Sequence, residues 1–262
     1  MIDQALPLKR LLDAHGTAAT PFEKACTSTP LVSARGLTKT YRNGDVEVNA
    51  VRSADFVIEP ASFVAFVGPS GSGKSTLLNM IGCLDHPTSG TLHVLDTDIA
   101  TLDRRAAAHF RGSNIGFIFQ DFNLVPVLTA YENIEYPLIM VQQWAPQQRR
   151  EQVMRLLHAV GMEAQAGKRP DQLSGGQKQR VAVARALVSR AKLVLADEPT
   201  ANLDHDTAYR IIDLMKQMRD EFGTTFVFST HDPKIMSEAE LTFTLEDGRV
   251  VSRADKRETA LA

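Results

Sequence analysis

Five apolar residues, Phe63-Val64-Ala65-Phe66-Val67, run directly into Gly68-Pro69-Ser70-Gly71-Ser72-Gly73-Lys74-Ser75-Thr76, and a helical pattern through Leu77, Leu78 and Ile81 follows. A run this short and this apolar reads as a buried strand. Between a strand and a helix, the pattern G-x-x-x-x-G-K-[ST] is a phosphate-binding loop. Its glycines let backbone N–H groups turn inward around β- and γ-phosphates, and the N-terminus of the following helix adds its dipole. Lys74 supplies a point charge to the β/γ oxygens, and the Ser75 hydroxyl is placed to ligate Mg²⁺. Strand, glycine loop and helix together are the context such a loop requires.

The alternation continues along the chain. Helical spacing dominates from about residue 104 to 172, as in Val153, Leu156, Leu157 and Val160, which Gly161 ends. The strand Ile115–Phe119 leads into this block. A helix over 176–189, a strand at Leu193–Ala196, a helix over 207–221 and a strand at Thr225–Ser229 follow it. Strands alternating with helices predict an α/β fold with a mostly parallel sheet. Ahead of the loop, Leu31–Ala34, Val46–Val51 and Phe56–Ile58 read as strands, with Arg42-Asn43-Gly44 as a hairpin turn. Residues 1–30 are punctuated by Gly, Pro, Ser and Thr and read as a flexible extension; residues 251–262 read as a polar tail. No internal repeat is visible, which excludes two tandem copies of this unit in the chain.

Composition removes several function classes. The 29 Lys and Arg against 31 Asp and Glu leave a formal charge of −2, which argues against a nucleic-acid partner. Cys26 and Cys83 stand far apart and in no metal spacing, so neither a disulfide framework nor a zinc site is implied. No apolar run reaches the ~18 residues that span a bilayer, and the first ten residues lack the apolar stretch of a secretory signal. The expectation is a cytosolic chain whose membrane function, if any, comes through a partner.

Downstream, Leu193-Val194-Leu195-Ala196 runs into Asp197-Glu198-Pro199. Two carboxylates at the end of a buried strand are costly unless they meet a cation or a proton-transfer task. The chemical division of labour puts Asp197 on Mg²⁺ and Glu198 on the attacking water. Roughly 100 residues after the phosphate loop stands Leu173-Ser174-Gly175-Gly176-Gln177, which opens a helix and forms a second phosphate cradle.

The loop and this LSGGQ stretch, in this order, resemble the ATPase subunit of an ATP-binding-cassette (ABC) transporter. The resemblance covers roughly residues 31–250 and implies a P-loop NTPase core, an antiparallel β subdomain and an inserted helical subdomain near residues 104–175. It also implies that Ser174, Gly175, Gly176 and Gln177 cap the γ-phosphate held by a second subunit, so that two ATP are buried in a head-to-tail dimer. Hydrolysis would then open the dimer. On the same resemblance Gln120 is the glutamine that reaches Mg²⁺, and Ala201-Asn202-Leu203-Asp204 crosses the dimer interface. His231 contacts the γ-phosphate, and Tyr41 stacks on adenine.

Gly82-Cys83-Leu84-Asp85-His86-Pro87-Thr88-Ser89-Gly90 and the run Phe122–Ile134 look like the lipoprotein-release and macrolide-export group. That likeness implies a separate integral membrane permease and a position on the cytoplasmic face of the inner membrane. A close alternative is a cassette that controls a periplasmic cell-division or cell-wall enzyme by the same mechanics. A soluble ATPase of chromosome or translation systems fits poorly, since no heptad run and no tandem cassette is present. Where the family has a Gly-Glu pair before the first core strand, this chain has Ala61-Ser62. The apolar side chains between Gln120 and Val141 exceed what a short connection needs. An exposed subset of them would seat a helix of the membrane subunit, with Tyr131 and Glu135 as points of contact.

Overall fold

A computed structural model describes residues 29–44 and 46–259; the expectation of a flexible extension, up to residue 28, lies outside the described residues. The chain runs β1 (Val32–Asn43), β2 (Val46–Ile58), β3 (Phe63–Val67), α1 (Lys74–Ile81), β4 (Ser89–Val94) and β5 (Thr97–Asp98). It continues through α2 (Arg104–Asn114), β6 (Ile115–Ile118), α3 (Ala130–Pro137), α4 (Pro146–Ala159) and α5 (Gly175–Leu187). Then come β7 (Leu193–Asp197), α6 (His205–Phe222), β8 (Thr225–Thr230), α7 (Pro233–Met236), β9 (Leu241–Glu246), β10 (Arg249–Asp255) and α8 (Lys256–Thr259).

Two sheets result. One is antiparallel, ordered β2-β1-β4-β5; the other is ordered β10-β9-β3-β8-β7-β6 and is parallel except for β10. The period-2 alternation of side chains explains why β3 is apolar at every position. Phe63, Ala65 and Val67 enter the core beneath α3, α4, α5 and α6, whereas Val64 and Phe66 enter the core shared with α1 and the antiparallel sheet. Phe63 lies 5.0 Å from Phe228 on one side, and Phe66 stacks on Phe243 at 5.3 Å on the other. Each fully buried side chain of this size contributes about 1.5–3 kcal/mol. The phosphate loop therefore leaves from a strand fixed on both faces, and β7 and β8 deliver their C-terminal ends to the same edge.

Three local expectations change. The strands expected at 46–51 and 56–58 are one strand, β2, because a left-handed Ser53 (φ 48°) breaks the alternation without breaking the pairing to β1. Asn43 pairs with Val46, so the hairpin turns one residue later than Asn43-Gly44 suggested. The tail expected from residue 251 begins as the second half of β10, paired to β9 as far as Asp255 with Leu241. The turn before β3 is kept despite the departure from Gly: Ala61 adopts φ 54°, the left-handed region in which glycine costs less. Among the described residues no helix is long and apolar enough to cross a membrane.

Candidate active site

The loop at residues 68–73 is held by backbone contacts that only glycine permits. A Cβ on Gly68 (φ 149°) would stand 2.1 Å from the Leu245 carbonyl oxygen, and one on Gly73 (φ 100°) 2.2 Å from that of Ala50. Pro69 accepts the Ser72 N–H, and Ser72 accepts the Gly248 N–H at the β9–β10 turn. The loop thus packs closely against β2 and is hydrogen-bonded to the β9–β10 hairpin, while Ser70 and Gly71 lie exposed. Gly73 caps α1 without any side chain, so the first N–H groups of α1 keep no side-chain acceptor.

Lys74 is 5% exposed, and its ammonium donates to the carbonyls of Gly68 and Pro69 at 2.9 Å each. Among the described residues no carboxylate pairs with it. The hydroxyl of Ser72 is buried and, among the described residues, has no hydrogen-bond partner. A buried cation without a counter-charge, an orphan hydroxyl and an uncapped helix start together fit an oxyanion with several negative oxygens.

The carboxylates stand opposite. Asp197 ends β7 in register with Ser229 of β8. Its Oδ1 accepts the hydroxyls of Ser229 at 2.6 Å and Ser75 at 3.1 Å, which unites two of the three residues expected to hold Mg²⁺, without Gln120. One carboxylate and two hydroxyls are hard oxygen donors, the set a small divalent cation prefers. Glu198 follows at φ 44°, an uncommon conformation for a non-glycine residue, and its N–H donates to Ser229 Oγ at 3.0 Å. The left-handed turn directs the Glu198 carboxylate to His231, whose Nδ1 lies 3.0 Å away. An ionised carboxylate can only accept, so this bond places the imidazole proton on Nδ1.

Other expected residues sit differently. The Tyr41 hydroxyl faces Thr76 in the first turn of α1 and donates to Asp85 at 2.7 Å. Burial, then the Asp85 hydrogen bond, raise its pKa above the usual phenol value. Gln120 is exposed, and the structure brings its carbonyl, not its side chain, into a contact: Asn202 Nδ2 donates to it at 3.0 Å and to Asp121 at 2.9 Å. Ser174 caps α5 in a reciprocal box, accepting the Gln177 N–H while its own N–H donates to Gln177 Oε1 at 3.0 Å. Ser174 keeps its hydroxyl proton to donate elsewhere, but the Gln177 side chain is committed to the cap. Gly175 and Gly176 lie against Leu203 and Thr207, and a Cβ on Gly176 would come within 2.6 Å of Thr207 Cγ2. Asp204 is the N-cap of α6 and accepts the Thr207 N–H at 3.1 Å. Hydrogen bonds from the Thr207 side chain and backbone hold its carboxyl below the usual range. Among the described residues no hydrogen bond joins the LSGGQ signature at residues 173–177 to the phosphate loop.

Two contributors escaped sequence reasoning. Ser229 holds both Asp197 and Glu198, and its signal was a hydroxyl closing the buried run Phe226-Val227-Phe228. Arg185, inside the otherwise apolar Ala184–Leu187 turn of α5, donates to the carbonyls of Phe122 and Asn123. Both of those residues have positive φ, at 62° and 46°. Burial lowers the Arg185 pKa to about 10. The segment after Gln120 is therefore pinned from the signature helix by Arg185 and, through Asp121, by Asn202.

The ABC transporter family model matches residues 51–201. A lipoprotein-releasing system ATP-binding protein LolD from Anaeromyxobacter dehalogenans is 43% identical over 230 residues, covering 88% of this chain and 96% of its own. A macrolide export ATP-binding/permease protein MacB from Rhodopirellula baltica is 41% identical over 87% of this chain, which spans only 33% of that protein. The dimeric post-hydrolysis structure of the ATP-binding cassette MJ0796 from Methanocaldococcus jannaschii, bound to ADP and Pi, superposes with a TM-score of 0.79. It is 41% identical, with 86% of this chain and 99% of that one covered. With that match over nearly its whole described length, the chain belongs to the ABC transporter family of ATP-binding cassettes.

Proposed function

We propose that this chain is the ATP-binding and ATP-hydrolysing subunit of an ABC transporter, working as a dimer that drives a separate integral membrane permease of the lipoprotein-release or macrolide-export type. The observation that carries the reading is the convergence at one sheet edge of an unpaired Lys74, the Ser75–Asp197–Ser229 cluster and the Glu198–His231 pair.

In this reading the loop N–H groups and Lys74 bind the β- and γ-phosphate oxygens. Mg²⁺, held by Ser75 and Asp197 with Gln120 as a further oxygen donor, would neutralise charge on those oxygens. Glu198 accepts the proton of the attacking water, and His231 orients the Glu198 carboxylate. The His231 side chain is 63% exposed, which lets the ring turn from Glu198 toward a terminal phosphate. Ser174, its hydroxyl oxygen engaged by its own helix and its proton free, offers that proton with the α5 N-terminus to the nucleotide of the second subunit.

That arrangement in trans has a direct test. Ser174→Arg should abolish turnover, while nucleotide affinity measured on the isolated subunit stays within about threefold of the parent. A comparable loss of affinity would mean that the signature serves its own chain's nucleotide.

The permease has a candidate seat. Ala130, Ile134 and Leu138 are core, whereas Val125, Val127, Tyr136, Ile139, Met140 and Val141 are exposed, and Val127 reaches 71%. Tyr131 and Glu135 are poorer probes than their positions in sequence suggest. Tyr131 is half-buried against the core, and Glu135 is 16% exposed and pairs with Arg149 at 2.8 Å. Cysteines at Val127 and Met140 are therefore expected to crosslink to a cytoplasmic segment of an integral membrane protein in native membranes. If neither forms an adduct and the chain stays wholly soluble with its co-expressed genomic neighbours, the permease reading falls.

A further inference from the structure

We propose that Asp85 and Lys39 are positioning residues that hold the Tyr41 ring as a preset platform for the base of the nucleotide. The proposal rests on the reading that the loop at 68–76 binds ATP. It gives Asp85 and the His86 backbone, which lie in the stretch that resembles one subgroup, a task beside the nucleotide.

Tyr41 sits near the end of the β1–β2 hairpin and is 41% exposed, where a tyrosine would ordinarily be free to turn. Here its hydroxyl is fixed. It donates to Asp85 Oδ2 at 2.7 Å and meets the Thr76 side chain, so the ring is tied to the helix that carries the phosphate loop. The other Asp85 oxygen accepts Lys39 Nζ at 2.5 Å and the His86 N–H at 2.8 Å. Lys39 also donates to the His86 carbonyl at 2.8 Å. Lys39 and Tyr41 lie two residues apart on β1 and so share a face. The Lys39 ammonium stands 4.9 Å from the Tyr41 ring centroid, which occupies one face of the ring with a cation and directs any stacking partner to the other.

Asp85 is itself rigidly placed. The chain leaves α1 through a left-handed Cys83 (φ 55°), and the N–H groups of Leu84 and Asp85 both donate to the Asn79 carbonyl. Burial alone would raise the Asp85 carboxyl, but hydrogen bonds from Lys39, Tyr41 and His86 outweigh it and hold the group below the usual carboxylate range. The carboxylate is therefore charged at neutral pH and bonded on both oxygens. An aromatic platform ordered in advance spares the ligand the cost of ordering it, which corresponds to about threefold to tenfold in affinity.

The test compares Mg-ATP with Mg-bound inorganic tripolyphosphate, which has the phosphates and no base. The parent should bind ATP more tightly. Tyr41→Phe keeps the ring and removes only the atom that Asp85 holds, so it should lower the ATP-over-tripolyphosphate ratio about threefold to tenfold and leave tripolyphosphate affinity unchanged. Asp85→Ala should do the same, and combining the two should cost no more than either alone. Tyr41→Ala should abolish the preference. If Tyr41→Phe and Asp85→Ala keep the parental ratio while Tyr41→Ala loses it, the ring stacks without its anchor and the proposal is overturned. If the parent shows no preference for ATP, the platform does not exist, although the phosphate loop stands. Failure of the parent to bind either ligand removes the nucleotide reading and the platform with it.

Discussion

Glu198→Gln should bind Mg-ATP with parental affinity, lose turnover by about 10²–10⁴-fold and accumulate as a dimer on size-exclusion chromatography with ATP. The substitution is nearly isosteric, and the structure explains why it should leave the fold intact. The Glu198 N–H bond to Ser229 Oγ belongs to the backbone, and a glutamine oxygen can still accept the His231 Nδ1–H. Asp197 keeps its own hydroxyl partners, Ser229 and Ser75. Only the ability to take a proton from water disappears. Two bound ATP would then have no route to release a closed dimer, which the parent protein should not accumulate. A Glu198→Gln variant that hydrolyses ATP at the parental rate would remove Glu198 from the role of base. A variant that neither hydrolyses nor dimerises would leave the base in place and overturn the closure reading.

What could be read in advance was whatever is local in sequence. The phosphate loop, the acidic pair after Leu193–Ala196 and the LSGGQ start of α5 each carry their chemistry within nine residues or fewer, and each lies on the element expected for it. Long-range partners were invisible. Ser229 acts on Asp197 across 32 residues, and Arg185 acts on Phe122 across 63. In one dimension the first is only a serine in a strand, and the second only a charge in an otherwise apolar stretch of helix. Local competition hid other roles. Gln177 and Asp204 stand where they can cap their own helices, and the caps claim the groups that the family pattern assigns to the nucleotide and to the dimer interface. Left-handed residues such as Ser53 hid the length of β2, because they shift the alternation that reveals a strand.

Lys74→Ala should separate folding from function most sharply, because the same ammonium works in opposite directions on the two. In the protein alone it is a buried cation that, among the described residues, meets the neutral carbonyls of Gly68 and Pro69 and no carboxylate. A desolvated charge of this kind costs stability, and its removal relieves that cost. The loop keeps the bonds that define it, from Ser72 N to Pro69, from Gly248 N to Ser72 and from Leu77 N to Gly73. The ligand-free variant should therefore melt no lower than the parent. With ATP the sign reverses. A charge-assisted contact to phosphate oxygens is worth about 1.5–3 kcal/mol, so its loss weakens ATP binding about tenfold to a hundredfold. At an ATP concentration about a hundred times the parental Kd, the parent gains about 2.7 kcal/mol of stability from the ligand, and the variant loses about 1.3–2.3 kcal/mol of that gain. Thermal melting with and without Mg-ATP reads both effects in one experiment. Unchanged ATP-dependent stabilisation in the variant would overturn the assignment of residues 68–76 as the phosphate site. A lower melting point without ATP would show instead that the two carbonyls need Lys74 more than the buried charge costs.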